Sequence, residues 1–530
     1  MEKKLIVAVA LSILVIITFQ HFFTPPPSKT TLAPVQEQAV TQAVPAVEKT
    51  AEISVAKQPS VTESEVVLET DKYFLTFTNL GGSIKDIRLK DYKDSASGEP
   101  LQLVRINNPQ EYICLMKDAV HSRPLDSSLY EVEKTDGQIV YRLRSDGFEV
   151  VKRYILHNSQ HYIELQLEIK NLSDQKMDFG YQIIGGAGLD EQKAQDKRLV
   201  EVSSNIDGKT VGFKNPKDGR ITQPGIVSWT VLRNKYFSLI LKPFAQTKNQ
   251  FYNAGKEGSF VTGVSVQDAT LPPKSFVEHK FLLYIGPTDI AILKKAGFGL
   301  EETVNYGFFG SISKALLSLM KFFNSVVHSW GISIILLAIF LNAILFPLTL
   351  KSMRSMQKMQ ALHPEMEKLK AQCKDNQQKL NKEMMELYKK YKINPLGGCL
   401  PMLLQMPIFI ALYQALLKCV DLRGSSFLWI KDLSMPDALK IPTTLPFIGD
   451  HINILVILMI IAMVIQQKMS TKTMGAAVTE EQKQQQKIML IVMPVMFGFI
   501  FYSMPAGLVL YWFLNTTLTI IEQYIIFNYS

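Results

Sequence analysis

The chain has 530 residues, a formal net charge of +9, an apolar share of 47% and four cysteines. A single soluble domain rarely reaches that length, and the long apolar runs fall at residues 1–23 and after Phe308, with an ordinary soluble composition between them. The basic excess clusters between Lys351 and Lys392, beside apolar runs, which suits the cytoplasmic flank of membrane spans and argues against a direct nucleic-acid role.

Residues 1–23 begin with Lys3 and Lys4 and continue as an apolar run to Phe23. A cleaved signal peptide shares that charge pattern. The run is about 19 residues, long enough to span, and it lacks a small-x-small site, so the favoured reading is an uncleaved anchor. Residues 24–60, rich in Pro, Ala, Thr, Val and Gln, read as a flexible tether. Residues 61–290 read as a β-sandwich. Ile163, Leu165, Leu167 and Ile169 alternate with polar residues, as do Tyr73, Leu75 and Phe77 before the turn Asn79-Leu80-Gly81-Gly82, and residues 138–143 and 148–156 are further strands. Only Cys114 lies in this part, which therefore has no internal disulfide, and no metal-type Cys/His spacing occurs. His157, His161 and His279 are scattered, without a nucleophile elbow, phosphate loop or HExxH, so no catalytic role is assigned and no cofactor is implied.

Residues 291–330 form a connector. Within it Phe309, Ile312, Leu316, Leu319, Phe323 and Val326 repeat at helical spacing, predicting an amphipathic helix in the outer membrane interface; the bland alternative is a helix packed on the β domain. Residues 331–350 are the second span, kinked by Pro347. Residues 351–395 are basic and carry two short stripes, Met366, Leu369, Cys373 and Leu380, Met384, Leu387, Tyr391, which predict an antiparallel helical hairpin. That hairpin is either a solvated, topology-setting face or a docking arm. The third span is 396–419, followed by an outer loop 420–450, a fourth span 451–467, an inner loop 468–487, a fifth span 488–503 and a sixth span 507–527. The positive-inside rule then places both termini and the hairpin in the cytoplasm and the β domain in the periplasm.

Polar residues in the spans single themselves out, because an unpaired polar group in hydrocarbon costs about 1–3 kcal/mol. Asn342, Gln405, Asn515, Thr516 and Glu522 are expected to line a polar groove. Ordinary helix–helix hydrogen bonding, worth about 0.6 kcal/mol per pair, is the competing account and the favoured one for Thr516 and Thr517.

The run Asn394-Pro395-Leu396-Gly397-Gly398-Cys399-Leu400-Pro401, continuing through Gln405-Met406-Pro407-Ile408-Phe409, carries a resemblance, supported by Leu428-Trp429-Ile430-Lys431-Asp432-Leu433, Gln485-Gln486-Lys487-Ile488-Met489 and Met504-Pro505-Ala506-Gly507-Leu508-Val509-Leu510-Tyr511. With these, essentially the whole chain resembles the YidC-type membrane protein insertases of Gram-negative bacteria. The resemblance implies a membrane α-helical bundle of six spans, five forming the core, with a large periplasmic β-sandwich domain, a cytoplasmic helical hairpin, and a groove open to cytoplasm and lipid. It implies an insertase and chaperone, not an enzyme, working on nascent membrane proteins among membrane lipids, alone or with the Sec translocon including SecD and SecF. It also implies a substrate slide on the third and fifth spans around Met406, Pro407, Met493 and Phe497.

Many relatives carry an arginine where Asn342 stands, whereas no Lys or Arg lies between residues 331 and 350 here. Asn528-Tyr529-Ser530 closes the sequence without the basic tail through which many relatives engage the ribosome, which leaves the cytoplasmic loops as the surface for any ribosome contact. A small-solute transporter is the alternative, but it calls for internal repeats or charged intramembrane sites, and only Glu522 is charged well inside the core spans.

Overall fold

The computed structural model describes residues 62–94, 97–189, 200–213, 219–244, 249–255, 260–373, 377–391, 400–445, 449–474 and 480–529. The anchor at 1–23, the tether at 24–60 and residues 394–399 of the Asn-Pro-Leu-Gly-Gly-Cys motif lie outside the described residues.

Strict alternation of apolar and polar side chains gives a strand one buried face. Tyr162–Asn171 follows that rule along its length, with Ile163, Leu165, Leu167 and Ile169 turned inward. It lies within a nine-stranded antiparallel sheet ordered Lys209–Phe213, Glu201–Ile206, Val227–Arg233, Phe237–Pro243, Phe276–Pro287, Tyr162–Asn171, Phe148–Leu156, Gln138–Ser145 and Glu131–Thr135. A five-stranded sheet (Gly219–Pro224, Asn249–Gly255, Val261–Leu271, Met177–Gly186, Met116–Asp118) and a four-stranded meander (Glu65–Glu69, Tyr73–Thr78, Ser83–Lys93, Pro100–Arg105) share one apolar core with it. Two contacts show how the meander is tied down: the Tyr73 hydroxyl donates to the Ile285 carbonyl at 2.6 Å, and the Phe77 ring lies 5.0 Å from that of Tyr154.

The turn after Tyr73–Thr78 places Gly81 at φ 64° and Gly82 at φ 53°, a left-handed pair that glycine adopts without a Cβ penalty. Its carbonyls point inward and need donors. Lys152, fully buried, supplies them: its Nζ donates to Gly81 O at 2.6 Å and to Cys114 O at 2.8 Å, while the Tyr154 hydroxyl donates to Gly82 O at 2.6 Å. The three histidines each have a local partner. His157 meets Glu164 at 3.1 Å, His161 lies 3.8 Å from Asp91, and His279 pairs with the Tyr181 hydroxyl at 2.7 Å.

The helical part follows. Helix α1 (Ile290–Ala296) is capped by Asp289, whose Oδ1 accepts from the amides of Ala291 and Ile292. Helix α2 (Gly310–Val327) leads to α3 (Trp330–Ala361), then to the short helices α4 (His363–Gln372) and α5 (Gln377–Lys390). Helices α6 (Leu400–Leu417), α7 (Ile454–Met474), α8 (Glu480–Phe501) and α9 (Ala506–Tyr529) complete the bundle. By length and composition, one helix among the described residues, Trp330–Met359, can cross a membrane, with mean hydropathy 2.5; Gln405–Leu417, Ile454–Ser470 and Leu490–Phe501 are shorter apolar segments.

Several element boundaries differ from the sequence expectation. Helix α3 passes through Pro347 and ends at Ala361, eleven residues beyond the expected end at 350, so the second span and the start of the basic insert are one helix. Helix α8 begins at Glu480 rather than 488. The strand Leu439–Leu445 pairs with Gly449–Ile452, where the sequence predicts an outer loop to 450 and a span from 451.

Helix α2 packs on the bundle with a face rotated from the expected stripe. Ser313, Leu316, Leu317 and Met320 are buried, whereas Ile312 and Val326 are exposed. Ser313 can occupy the interface because its hydroxyl donates to the Ala411 carbonyl of α6 at 2.8 Å. Between the α4 and α5 stripes, Leu362 and Leu387 pack with Met359, Met366 and Leu369. The β domain is fastened to the bundle by ion pairs: Lys321 of α2 reaches Asp289 at 2.5 Å and Asp421, just past α6, at 3.2 Å. Lys235 also donates to the Ser434 carbonyl at 3.0 Å.

Candidate functional site

Residues four apart on a helix share a face. Tyr511, Asn515 and Thr519 therefore line one face of α9, and Glu522 extends it. Helices α3 and α6 each send one amide to that face. Asn342 Nδ2 donates to Asn515 Oδ1 at 3.0 Å and to the Ala338 carbonyl of its own helix at 2.8 Å. Gln405 Nε2 donates to the Tyr511 hydroxyl at 2.9 Å. Asn342 lies 12 residues into α3, about 18 Å from its start at 1.5 Å per residue. Three helices distant in sequence thus bring polar side chains together where apolar ones would be the default.

Asn342, Gln405 and Asn515 are half-buried, and each has a partner that offsets its removal from water. Glu522 is also half-buried and lies seven positions after Asn515, about 10 Å further along α9. Thr516 does not join them: it is 4% exposed, and its hydroxyl donates to the Trp512 carbonyl at 2.9 Å, as Thr517 does to Phe513. The cluster offers neutral amides and hydroxyls, with Glu522 its one ionisable carboxyl group. Such a set can exchange hydrogen bonds with a polar backbone or side chain but holds no nucleophile–base pair.

On the α6 and α8 side, Met406 is 37% exposed, and Pro407 and Met493 are half-buried. Phe497 has a packing partner of its own, because its ring stacks on Trp512 with centroids 5.8 Å apart and planes 21° apart. Phe409 stands edge-on to Trp512 at 4.7 Å and lies 5.8 Å from Phe501, so four rings join α6, α8 and α9. Sequence reasoning missed Tyr511, because tyrosine is ordinary in an apolar helix; its spacing of four from Asn515 was the available signal. It also missed Gln523, which is 7% exposed and donates to Ser470 of α7 at 3.3 Å.

Residues 65–319 match the family described as YidC periplasmic domain, and residues 322–530 match the 60Kd inner membrane protein family. Among similar curated proteins, the membrane protein insertase YidC of Geotalea daltonii is 32% identical over 99% of this chain and 98% of its own length. That of Pelobacter propionicus is 34% identical over the same shares of the two chains. A crystal structure of an active YidC insertase with its first transmembrane domain resolved aligns with 89% of this chain and 93% of its own, at 17% identity and a TM-score of 0.37.

Proposed function

The chain belongs to the YidC family of membrane protein insertases, and on that premise we propose that it inserts integral membrane proteins into the inner membrane through the polar cluster of α3, α6 and α9. The convergence of Asn342 and Asn515 with Gln405 and Tyr511 is the observation that carries this reading. The anchor, α3 and α6–α9 are the six spans, with both termini and the α4–α5 hairpin in the cytoplasm and the β domain in the periplasm. Helix α2 lies in the outer interface. The Sec translocon, with SecD and SecF, works beside the bundle, and the basic hairpin is the surface offered to the ribosome.

The physical problem is to carry a polar segment across an oily layer. Backbone in hydrocarbon needs a hydrogen-bond partner for every N–H and C=O. A half-depth cleft lined by Asn342, Gln405, Asn515 and Glu522 supplies such partners and shortens the apolar path. An apolar substrate helix then leaves sideways past Met406, Pro407 and Met493, driven by about 25 cal/mol for each Å² of apolar surface buried. Phe497, stacked on Trp512, supports that wall from behind.

The test is site-specific photocrosslinking from position 342 during synthesis of a small membrane protein, with position 406 as comparison. Crosslinks from 342 to the nascent chain are expected. Crosslinks from 406 alone would move the substrate path to the lipid side. Silence at both would favour a small-solute transporter, to be followed by flux measurements in liposomes.

A further inference from the structure

Between α6 and α7, residues 427–430 form a closed two-residue turn. The Phe427 amide donates to Ile430 O at 2.8 Å, and the Ile430 amide donates to Phe427 O at 2.9 Å. The two residues at the tip are apolar and turned outward: Leu428 is 74% exposed and Trp429 is 40% exposed. Leu428 stands at φ 53°, a left-handed backbone that a bulky aliphatic residue adopts only where its surroundings hold it there.

Those surroundings are stiff. A Cβ at Gly331 would overlap the Phe427 ring, so the turn rests directly on the backbone at the outer end of α3. Ile430 and Leu433 are buried in the bundle core. The Ala506 and Gly507 amides donate to Met435 O and Leu433 O, at 2.7 and 2.8 Å. Asp437 Oδ2 accepts from the Leu455 amide at 2.8 Å and from Trp429 Nε1 at 3.1 Å. The segment is therefore fixed at the ends of α3, α7 and α9, and it presents Leu428 and the uncovered part of the Trp429 ring to the outside.

Trp429 differs from an ordinary interfacial tryptophan. Such a ring keeps its N–H at the polar boundary for a partner. Here the partner is Asp437, within the protein, so the ring can enter hydrocarbon without an unpaired donor. Beside Gly331, on which the turn rests, Ile332 is 40% exposed, and Val326, five positions before Gly331 in the sequence, is 66% exposed. Exposed apolar side chains thus flank the point of α3 on which the turn is seated.

We propose that Leu428 and Trp429 form a rigid wedge inserted among the acyl chains of the outer leaflet, fixing the depth at which the outer end of the bundle sits. The occupant is lipid, because the turn sits on Gly331, at the start of the long apolar helix α3, and the sequence neighbours Val326 and Ile332 are exposed apolar residues. The inference rests on the reading of the bundle as membrane-spanning.

The experiment reconstitutes the full chain, without substrate, in vesicles whose lipids carry bromine on their acyl chains. The emission lost on Trp429→Phe is the Trp429 contribution, and that lost on Trp330→Phe reports the outer end of α3. Loss of the Trp429 contribution in brominated vesicles, with protection from iodide in the water, is expected. Leu428→Asp should restore Trp429 emission and leave the Trp330 contribution quenched. If bromine quenches Trp330 while Trp429 stays bright and iodide-sensitive, the wedge is refuted and the spanning bundle stands. If both are indifferent to bromine, the spanning reading falls with it. Protection of Trp429 only when a nascent chain is bound would make the tip a substrate contact and overturn the lipid assignment.

Discussion

Lys152 gives the β domain a pH dependence that can be worked through. Burial pushes its ammonium from the usual 10.5 down to about 7. Between those two values the unfolded chain binds more protons than the native one, so stability rises as pH rises through the window. Integrating over the two pKa values gives about 2 kcal/mol of added stability between about pH 7 and about pH 9. Lys152→Met removes that slope. It also leaves the Gly81 and Cys114 carbonyls without their donor, a cost of about 1–3 kcal/mol, offset in part because no ammonium is desolvated. The midpoint can therefore move either way, and the slope is the quantity to read. Cys114 supplies the reporter, being fully buried beside Lys152. Urea titrations of the full chain at the two pH values, pulsed with a maleimide and read at Cys114 by mass spectrometry, give the midpoints. Burial pushes the Cys114 thiol itself up to about 12, which lowers stability above its usual range, but that effect is common to both proteins and largely cancels in the comparison. Equal slopes in wild type and Lys152→Met would refute the assignment.

Three further outcomes follow from the bundle. Asn342→Leu and Asn515→Leu should each slow insertion of a substrate with a polar translocated segment, and the double variant should be no slower than the worse single one; additive losses in a pulse-labelling insertion assay would separate the two residues. Lys321→Met leaves the buried Asp289 carboxylate without its cation and should cost about 1–3 kcal/mol, below the range for fully buried pairs because Lys321 is 32% exposed. Faster proteolysis between the β domain and α2 is the measurable sign, and it should be weaker in Asp421→Asn, whose contact is longer. Gly331→Val should displace Phe427 and with it the 427–430 turn; hydrogen exchange at the Ile430 amide should rise while that of Tyr162–Asn171 stays unchanged.

Much of the β domain was legible, because alternation is a direct record of burial. Tyr162–Asn171 buries every second residue and the sequence alternates in step. The pairing of strands distant in sequence was not legible, since partners such as Gly219–Pro224 and Asn249–Gly255 carry no signal of each other. In the bundle, Asn342, Gln405 and Asn515 stood out because a polar residue in an apolar run is costly, and the structure joins two of them directly. Tyr511 stayed hidden because its ring satisfies the apolar pattern while only its hydroxyl does the pairing. The buried face of α2 includes Ser313, which the apolar stripe does not mark; main-chain carbonyls satisfy its hydroxyl in the interface. The sequence marks Pro347 as a kink near the end of the second span, and the helix continues through it to Ala361. Proline forfeits one amide bond, and a helix supported on both sides can absorb that loss.

That uninterrupted helix makes α3 a shaft of about 48 Å, longer than the oily layer is thick. Gly331, seated on Phe427, is the bearing at one end, and Ala361 is the free end. Pro347 lacks the N–H that would hold it to the preceding turn, and it lies just five residues past Asn342. A bend of about 10° at that joint swings Ala361, roughly 21 Å away, through about 4 Å and leaves Asn342 where it is. The basic segment beyond Ala361 can sway while the Asn342–Asn515 pair keeps its alignment.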